Sequence, residues 1–158
     1  MRPSPSRVLP LALLLALLAC AGRRIPGTDI PDNDDTRAIV AVIDAYRQAA
    51  ERRDAQAVMA LVSEKYFDDA GTVDPGDDVD YQKLAKRLAA DYQRISSLRL
   101  DIGVKRIDVE DDHSQAYVFY EQAYRITLKS GDVPKQASDV HRMRFAREKG
   151  VWRFTSGI

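Results

Sequence analysis

The sequence predicts an α+β domain in which three helices pack on one face of a four-stranded, mostly antiparallel sheet. Two observations indicate this class. Apolar residues recur at helical spacing through the first part of residues 36–158, and after Ser97 they alternate with polar residues at a period of two. Helices followed by a run of strands with short turns between them are typical of α+β domains.

Three helices are predicted in the first part of the domain. The first covers residues 36–52, and Asp35 or Thr36 can cap its start. Asp54 is the expected cap of the second helix, and Asp80 that of the third. The apolar stripes consist of Ile39, Val42, Ile43, Tyr46 and Ala50 in the first helix, Val58, Leu61, Val62 and Tyr66 in the second, and Leu84, Ala85, Leu88, Tyr92 and Ile95 in the third.

Four strands are predicted after Ser97. In the first, even-numbered apolar residues from Leu98 to Val104 give way to odd-numbered ones from Ile107, which predicts a bulge near Lys105. Each later strand has one predominantly apolar face. These faces consist of Val118, Tyr120, Tyr124, Ile126 and Leu128 in the second strand, His141, Met143 and Phe145 in the third (about 136–147), and Trp152 and Phe154 in the last.

Residues 1–19 are expected to be an export signal rather than part of the fold. Arg2 and Arg7 precede an apolar run from Val8 to Leu18, and small residues follow this run, as in a secretory signal peptide. Eleven residues in a helix span about 16 Å, which is roughly half of a hydrocarbon core of ~30 Å. The run is therefore too short for a transmembrane anchor.

Cys20 is the single cysteine of the chain, and it ends the run Leu17-Leu18-Ala19-Cys20. This run resembles the lipobox of bacterial lipoproteins. The resemblance implies cleavage before Cys20, lipidation of that cysteine and anchoring in the cell envelope, with the outer membrane favoured because Ala21 is not an aspartate. Ordinary signal cleavage after Ala21 is the alternative.

Residues 20–35 are expected to form a flexible tether between the lipid and the domain at 36–158. Their aspartates lack the glycine and the distal glutamate of an EF-hand, so we expect no metal there. Without residues 1–19 the chain would carry 22 basic and 24 acidic side chains, which disfavours nucleic acid as a partner. Acidic residues concentrate in 64–80 and basic residues in 135–153. Three explanations of this uneven charge stay open: the two regions contact each other, they contact each other across two subunits, or both are solvated loops.

Residues 36–158 as a whole resemble the nuclear transport factor 2-like, or SnoaL-like, family. The resemblance rests on the order and spacing of Ala45-Tyr46, Arg53-Asp54-Ala55, Thr72-Val73-Asp74-Pro75, Met143-Arg144-Phe145 and Gly150-Val151-Trp152. It implies a cone-shaped domain in which the curved sheet encloses a pocket for binding or catalysis.

Ketosteroid isomerases of that family give the sharpest local comparison. Tyr46 matches their tyrosine in the first helix, Asp74 precedes a proline as their general base does, and His141 stands where they have an acid that donates a hydrogen bond. The resemblance implies proton transfer next to a carbonyl, as in an isomerase or dehydratase. From the residues alone, a structural role is favoured over catalysis: Tyr46 and His141 fit the core, and Asp74 fits an ordinary turn.

Three functions stay open: binding of an apolar small molecule without chemistry, a structural or assembly role that includes a homodimer through the sheet, and the enzyme. Binding is favoured over the enzyme. The expected pocket residues are Tyr46, Tyr66, Tyr92, Tyr120, His141, Met143, Phe145 and Trp152. No glycine-rich phosphate loop, nucleophile motif or zinc spacing occurs, so we expect no cofactor and no metal, and His113 is expected on the surface.

Overall fold

The computed structural model describes residues 23–132 and 139–158; the signal segment, Cys20 and the first part of the predicted third strand lie outside these ranges. The helices are α1 (Asp34–Glu51), α2 (Ala55–Met59) and α3 (Tyr81–Arg94). The strands are β1 (Phe67–Asp68), β2 (Val79–Asp80), β3 (Ile95–Val109), β4 (Gln115–Leu128), β5 (Gly131–Asp132), β6 (Asp139–Glu148) and β7 (Val151–Ser156). None of these helices is long and apolar enough to cross a membrane.

Side-chain caps determine where the helices begin. As predicted, Asp54 and Asp80 accept hydrogen bonds from backbone N–H groups one turn into α2 and α3, at 2.9 Å and 2.8 Å. The predicted start of α1 is wrong by two residues, because Asn33 rather than Asp35 or Thr36 is its cap. Asn33 Oδ1 accepts from the N–H of Thr36, and Thr36 Oγ1 accepts from the N–H of Asn33, so the two residues form a capping box.

Helix α2 is shorter than the predicted apolar stripe. It ends at Met59, and the stripe residues Val62 and Tyr66 lie beyond it. Val62 forms a parallel bridge with Phe154 of β7 instead of continuing the helix. The spacing of these apolar residues therefore reflects burial against the sheet rather than a long helix.

The main sheet has the strand order β3-β4-β6-β7 and is antiparallel, and short β5 pairs with the end of β4. The predicted α+β class, with helices packed on a four-stranded antiparallel sheet, is confirmed. The predicted bulge is confirmed as well, since the register of β3 on β4 shifts between Val104 and Arg106.

The hydrophobic core fills the part of the domain where all four long strands are present. The rings of Phe145 and Phe154 lie 4.5 Å apart between their centroids, and Val118, Met143 and Ile39 of α1 are fully buried. Among the described residues, β6 pairs with residues 115–122 of β4. Helix α3 packs over the other half of the β3–β4 hairpin.

Residues 23–33 pack on the domain, which differs from the flexible tether predicted for residues 20–35. Ile30 is 2% exposed and belongs to the core, and Arg24 forms an antiparallel bridge with Pro31. A single buried isoleucine creates no hydrophobic period, so the pattern of the sequence does not reveal this contact.

Candidate functional site

Two depressions open beside α3 and share Arg87 and Ile158 in their walls. We call the one between α3 and the β3–β4 hairpin the apolar chamber, and the one between residues 66–79 and the start of β6 the polar chamber. Their volumes are about 450 Å³ and about 400 Å³. Both volumes lie within the range of ~300–1,000 Å³ that is typical of small-molecule sites.

The wall of the apolar chamber is mostly aliphatic and aromatic, with Arg87, Asp91, Arg94 and Gln122 as its polar members. Its apolar side chains from α1, α3, β3 and β4 are Tyr46, Ala50, Leu84, Leu88, Tyr92, Ile95, Leu98, Leu100, Tyr124, Ile126 and Leu128. Burial raises the pKa of Tyr46 to about 12 and also raises that of Tyr92, so both phenols are neutral at physiological pH. Asp91, the one carboxylate among the described residues of this wall, accepts a hydrogen bond from Arg94 Nη2 at 2.7 Å.

The polar chamber brings together the acidic and the basic regions of the sequence. Asp68, Asp69 and Asp77 come from the acidic region, and Arg142 and Arg144 come from β6. Of the three explanations for the charge polarity, the structure favours the pairing of two regions of one chain, because both line the same depression.

Two tyrosine hydroxyls point at main-chain oxygens in the polar chamber. Tyr66 Oη donates to the oxygen of Ile158 at 2.8 Å, and Tyr120 Oη donates to the oxygen of Gly157 at 3.0 Å. Burial raises the pKa of both tyrosines, so the hydroxyls keep their protons. The two side chains therefore act as a pair of neutral hydrogen-bond donors.

The three predicted catalytic residues do not share a cavity. Tyr46 lines the apolar chamber, and its ring packs edge-on against Phe154 with 5.5 Å between centroids. His141 lines the polar chamber, exposed, with its ring 5.6 Å from that of Tyr120, so it is not a core residue either. Asp74 lines neither chamber; it is exposed, and its Oδ1 accepts the N–H of Gly76 at 2.8 Å, as in an ordinary turn.

The predicted pocket residues divide into three groups. Tyr46 and Tyr92 line the apolar chamber, and Tyr66, Tyr120 and His141 line the polar chamber. Met143, Phe145 and Trp152 line neither, because they are at most 3% exposed within the core.

Sequence reasoning missed most of the apolar wall. Leu88, Leu98 and Ile126 each lie on a predicted apolar stripe, which indicates an inward position but does not distinguish a chamber wall from the core. Arg87 and Ile158 carry no such signal. Arg87 lies outside the apolar stripe of its helix, and Ile158 follows the last predicted strand, so neither belongs to a periodic pattern.

His113 lies on the surface, as the sequence indicates, with 61% of its side chain exposed and Nδ1 2.5 Å from Asp35 Oδ2. Within residues 23–132 and 139–158, no three side chains of the metal-binding types His, Cys, Asp and Glu lie close enough together to hold a metal ion.

Comparison with solved structures shows the same fold in other proteins. The chain is similar to a conserved protein from Planctomyces limnophilus, with a TM-score of 0.66, 17% identity and coverage of 78% of this chain and 98% of that one. It is similar to a ketosteroid isomerase-like protein from Erwinia carotovora atroseptica (TM-score 0.63, 20% identity, 78% and 93% covered). It is also similar to a type 2 hexachlorocyclohexane dehydrochlorinase (TM-score 0.62, 13% identity, 77% and 81% covered).

These identities are low, so the likenesses establish the fold and not the activity. No curated protein matches the sequence significantly. The family model of the SnoaL-like domain, however, matches residues 39–157, which is well over half of the chain. With three helices packed on the antiparallel sheet and a cavity inside, this chain belongs to the SnoaL-like domain family and has the nuclear transport factor 2-like fold.

Proposed function

We propose that the chain is an exported, lipid-anchored protein of the cell envelope that binds a small apolar molecule in its apolar chamber without transforming it. The observation that carries the binding role is a concave wall, made mostly of aliphatic and aromatic side chains, around a volume of about 450 Å³. Apolar surface that faces water is unfavourable, and a bound apolar molecule removes it from water.

Binding accounts for the site better than proton transfer does. The isomerase or dehydratase alternative requires Asp74 and His141 beside Tyr46, and both of these titratable groups lie outside the apolar chamber. Asp91 does not replace them, because it is paired with Arg94 and lies 3.8 Å from Arg87 Nε.

Binding also accounts for the structure better than assembly does. A homodimer through the sheet would be favoured by an exposed apolar face, but arginines cover the outer aromatic residues. The Arg106 guanidinium lies 4.2 Å from the ring centroid of Phe119, and that of Arg142 lies 6.0 Å from the centroid of Tyr117. Binding is therefore our proposal and a homodimer through the sheet is the weaker alternative, which sedimentation velocity would show as a doubled mass.

A pair of substitutions on neighbouring residues tests the binding role. Leu98→Trp is expected to fill the apolar chamber and to weaken binding of the neutral fluorescent probe N-phenyl-1-naphthylamine by about tenfold or more, since the probe loses its buried surface. Arg99→Trp adds the same side chain on the opposite face of β3 and should leave the affinity unchanged. Equal affinities for the two variants, or no binding to the unmodified chain, would contradict the proposal.

The lipid anchor has its own test. When the full chain is expressed in a Gram-negative host, we expect it to incorporate an alkyne-labelled fatty acid and to fractionate with the outer membrane. Cys20→Ser should abolish both, whereas Ala21→Ser should retain both. An unlabelled protein whose mature N-terminus is Gly22 would show ordinary signal cleavage instead.

A further inference from the structure

Residues 23–33, which we call the strap, are fixed to the domain immediately before α1. Ile30 is buried in the core, and the N–H of Asp32 donates to the main-chain oxygen of Arg23 at 2.7 Å. The guanidinium of Arg37 on α1 contacts the carboxylate of Asp32. The strap therefore keeps one position relative to the domain and does not act as a loose tether.

The strap is attached at one end of the domain. Asp35, two residues beyond it, contacts His113 in the β3–β4 turn (110–114). The same carboxylate contacts Arg147 and Trp152, which lie on either side of the turn between β6 and β7. The start of α1 and these two turns therefore lie close together, and we call them, with the strap, the strap end of the domain.

The apolar chamber lies at the opposite end. Its wall includes Leu98 near the start of β3, whereas Val109 at the end of β3 adjoins the strap end. From Leu98 to Val109 the strand spans about 36 Å. Along α1, Tyr46 of the chamber wall lies about 15 Å beyond Thr36 at the start of the helix. Both elements place the chamber well away from the strap.

The covalent connection between the strap and the proposed lipid anchor is short. Residues 21 and 22 separate Cys20 from Arg23, and three steps of chain span at most about 11 Å in any conformation. This reach is much less than the distance along β3 from the strap end to the chamber. A lipid on Cys20 therefore keeps the strap end near the membrane surface.

We propose that the strap end is a membrane-facing surface, and that the apolar chamber is held at the far end of the domain, where it takes its ligand from the aqueous compartment rather than from the anchoring bilayer. This inference rests on the lipid anchor of the proposed function. It adds the orientation of the domain and the source of the ligand.

The charges of the strap end do not by themselves attract anionic lipid. Arg24 is exposed, but its guanidinium pairs with Asp29 at 2.7 Å, and Asp111 and Asp112 are exposed in the β3–β4 turn. The orientation therefore depends on the covalent anchor and on its short connection. Cys20→Ser is accordingly expected to leave the chain unbound to vesicles.

Fluorophores at the two ends of the lipidated full chain test the inference. Asp111→Cys places a thiol at the strap end, and Ser130→Cys places one beyond the end of β4; both positions are exposed. The vesicles contain phosphatidylethanolamine, phosphatidylglycerol and a lipid with a nitroxide on its headgroup, which quenches fluorescence at short range. We expect quenching at residue 111 to be at least about threefold stronger than at residue 130, because the length of the hairpin separates the labels.

The matched control is an insertion of about 20 Gly and Ser residues between Gly22 and Arg23, a linker that spans roughly 25 Å on average. It leaves the strap docked and should bring the two quenching values together. Equal quenching at residues 111 and 130 without the insertion, or a difference that survives the insertion, would overturn the inference alone. A wild-type chain that carries no lipid and stays in solution would overturn the proposed anchor and this inference with it.

Discussion

At the scale of single residues, Asp35 connects the start of α1 to two distant parts of the sheet. Its carboxylate contacts His113 Nδ1 at 2.5 Å, Trp152 Nε1 at 3.2 Å and Arg147 Nη1 at 3.3 Å, and only 13% of the side chain is exposed. Burial alone would raise the pKa of Asp35, but the hydrogen bonds from His113 and Trp152 and the charge of Arg147 outweigh it and hold the pKa below 3.8.

Asp35→Asn is expected to lower the free energy of unfolding by about 1–3 kcal/mol at pH 7, because buried hydrogen bonds to a charged group are lost. Asp34→Asn is the control, since Asp34 is fully exposed and its ion pair with Arg37 lies at the surface. Urea denaturation measures both. A larger loss for Asp34→Asn than for Asp35→Asn would contradict the role assigned to Asp35.

The lowered pKa of Asp35 also predicts how the effect of Asp35→Asn depends on pH. The folded pKa of Asp35 lies below its unfolded value, so its stabilising effect is complete above about pH 4 and is lost as the pH falls through the folded pKa. The stability difference between the unmodified chain and Asp35→Asn should therefore shrink on acidification below pH 4. A difference that grows on acidification would show that the sign is wrong.

Which single residues could be predicted depends on how far their partners lie along the chain. Asp54 and Asp80 cap helices through N–H groups three residues away, so the sequence reveals both. Asp35 contacts residues 78 and 117 positions away, and Asp74 satisfies its own turn rather than reaching the cavity. Helix caps are local and can be predicted from the sequence, whereas the long-range contacts of Asp35 depend on the completed fold.

At the scale of elements, α3 forms one wall of the apolar chamber, so its stability affects the site. Asp80 caps its first turn, and Lys83 Nζ donates to the main-chain oxygen of Asp78 at 2.9 Å. Leu84 is the one buried residue of this helix, which therefore gains comparatively little from core packing. Its cap is correspondingly important.

Asp80→Ala is expected to lower the free energy of unfolding by about 1 kcal/mol, because the N-terminal N–H groups lose their acceptor, and Asp80→Ser should restore most of it. Asp78→Ala keeps the main-chain contact with Lys83 and should have a much smaller effect. Equilibrium denaturation of the three variants decides the matter; a loss from Asp78→Ala that equals the loss from Asp80→Ala would refute a capping role.

The strands show the limit of a pattern with a period of two. Alternation correctly places Met143, Phe145 and Ile126 on the inner face of the sheet, but it carries no information on position along the cone. Met143 and Phe145 belong to the buried core, whereas Ile126 lines the apolar chamber. The division between core and chamber therefore depends on what packs on the sheet face at each point, which alternation does not record.

At the scale of the whole molecule, the order of the elements and their short connections were sufficient to predict the α+β class, and the spacing of weak motifs was sufficient to suggest the family. The contacts by which residues 23–33 and residues 157–158 pack on the domain could not be predicted. Each makes its contacts as an isolated segment, so neither has a period that sequence reading detects.

The central claim is that an apolar molecule binds inside the apolar chamber, and locating a bound probe tests this claim most directly. In methyl-labelled full chain, nuclear Overhauser effects between N-phenyl-1-naphthylamine and the methyl groups of Leu88, Leu98 and Ile126 are the predicted result. Effects confined to the exposed residues Val73 and Val151, or saturable binding without any contact to the three chamber methyl groups, would contradict the account.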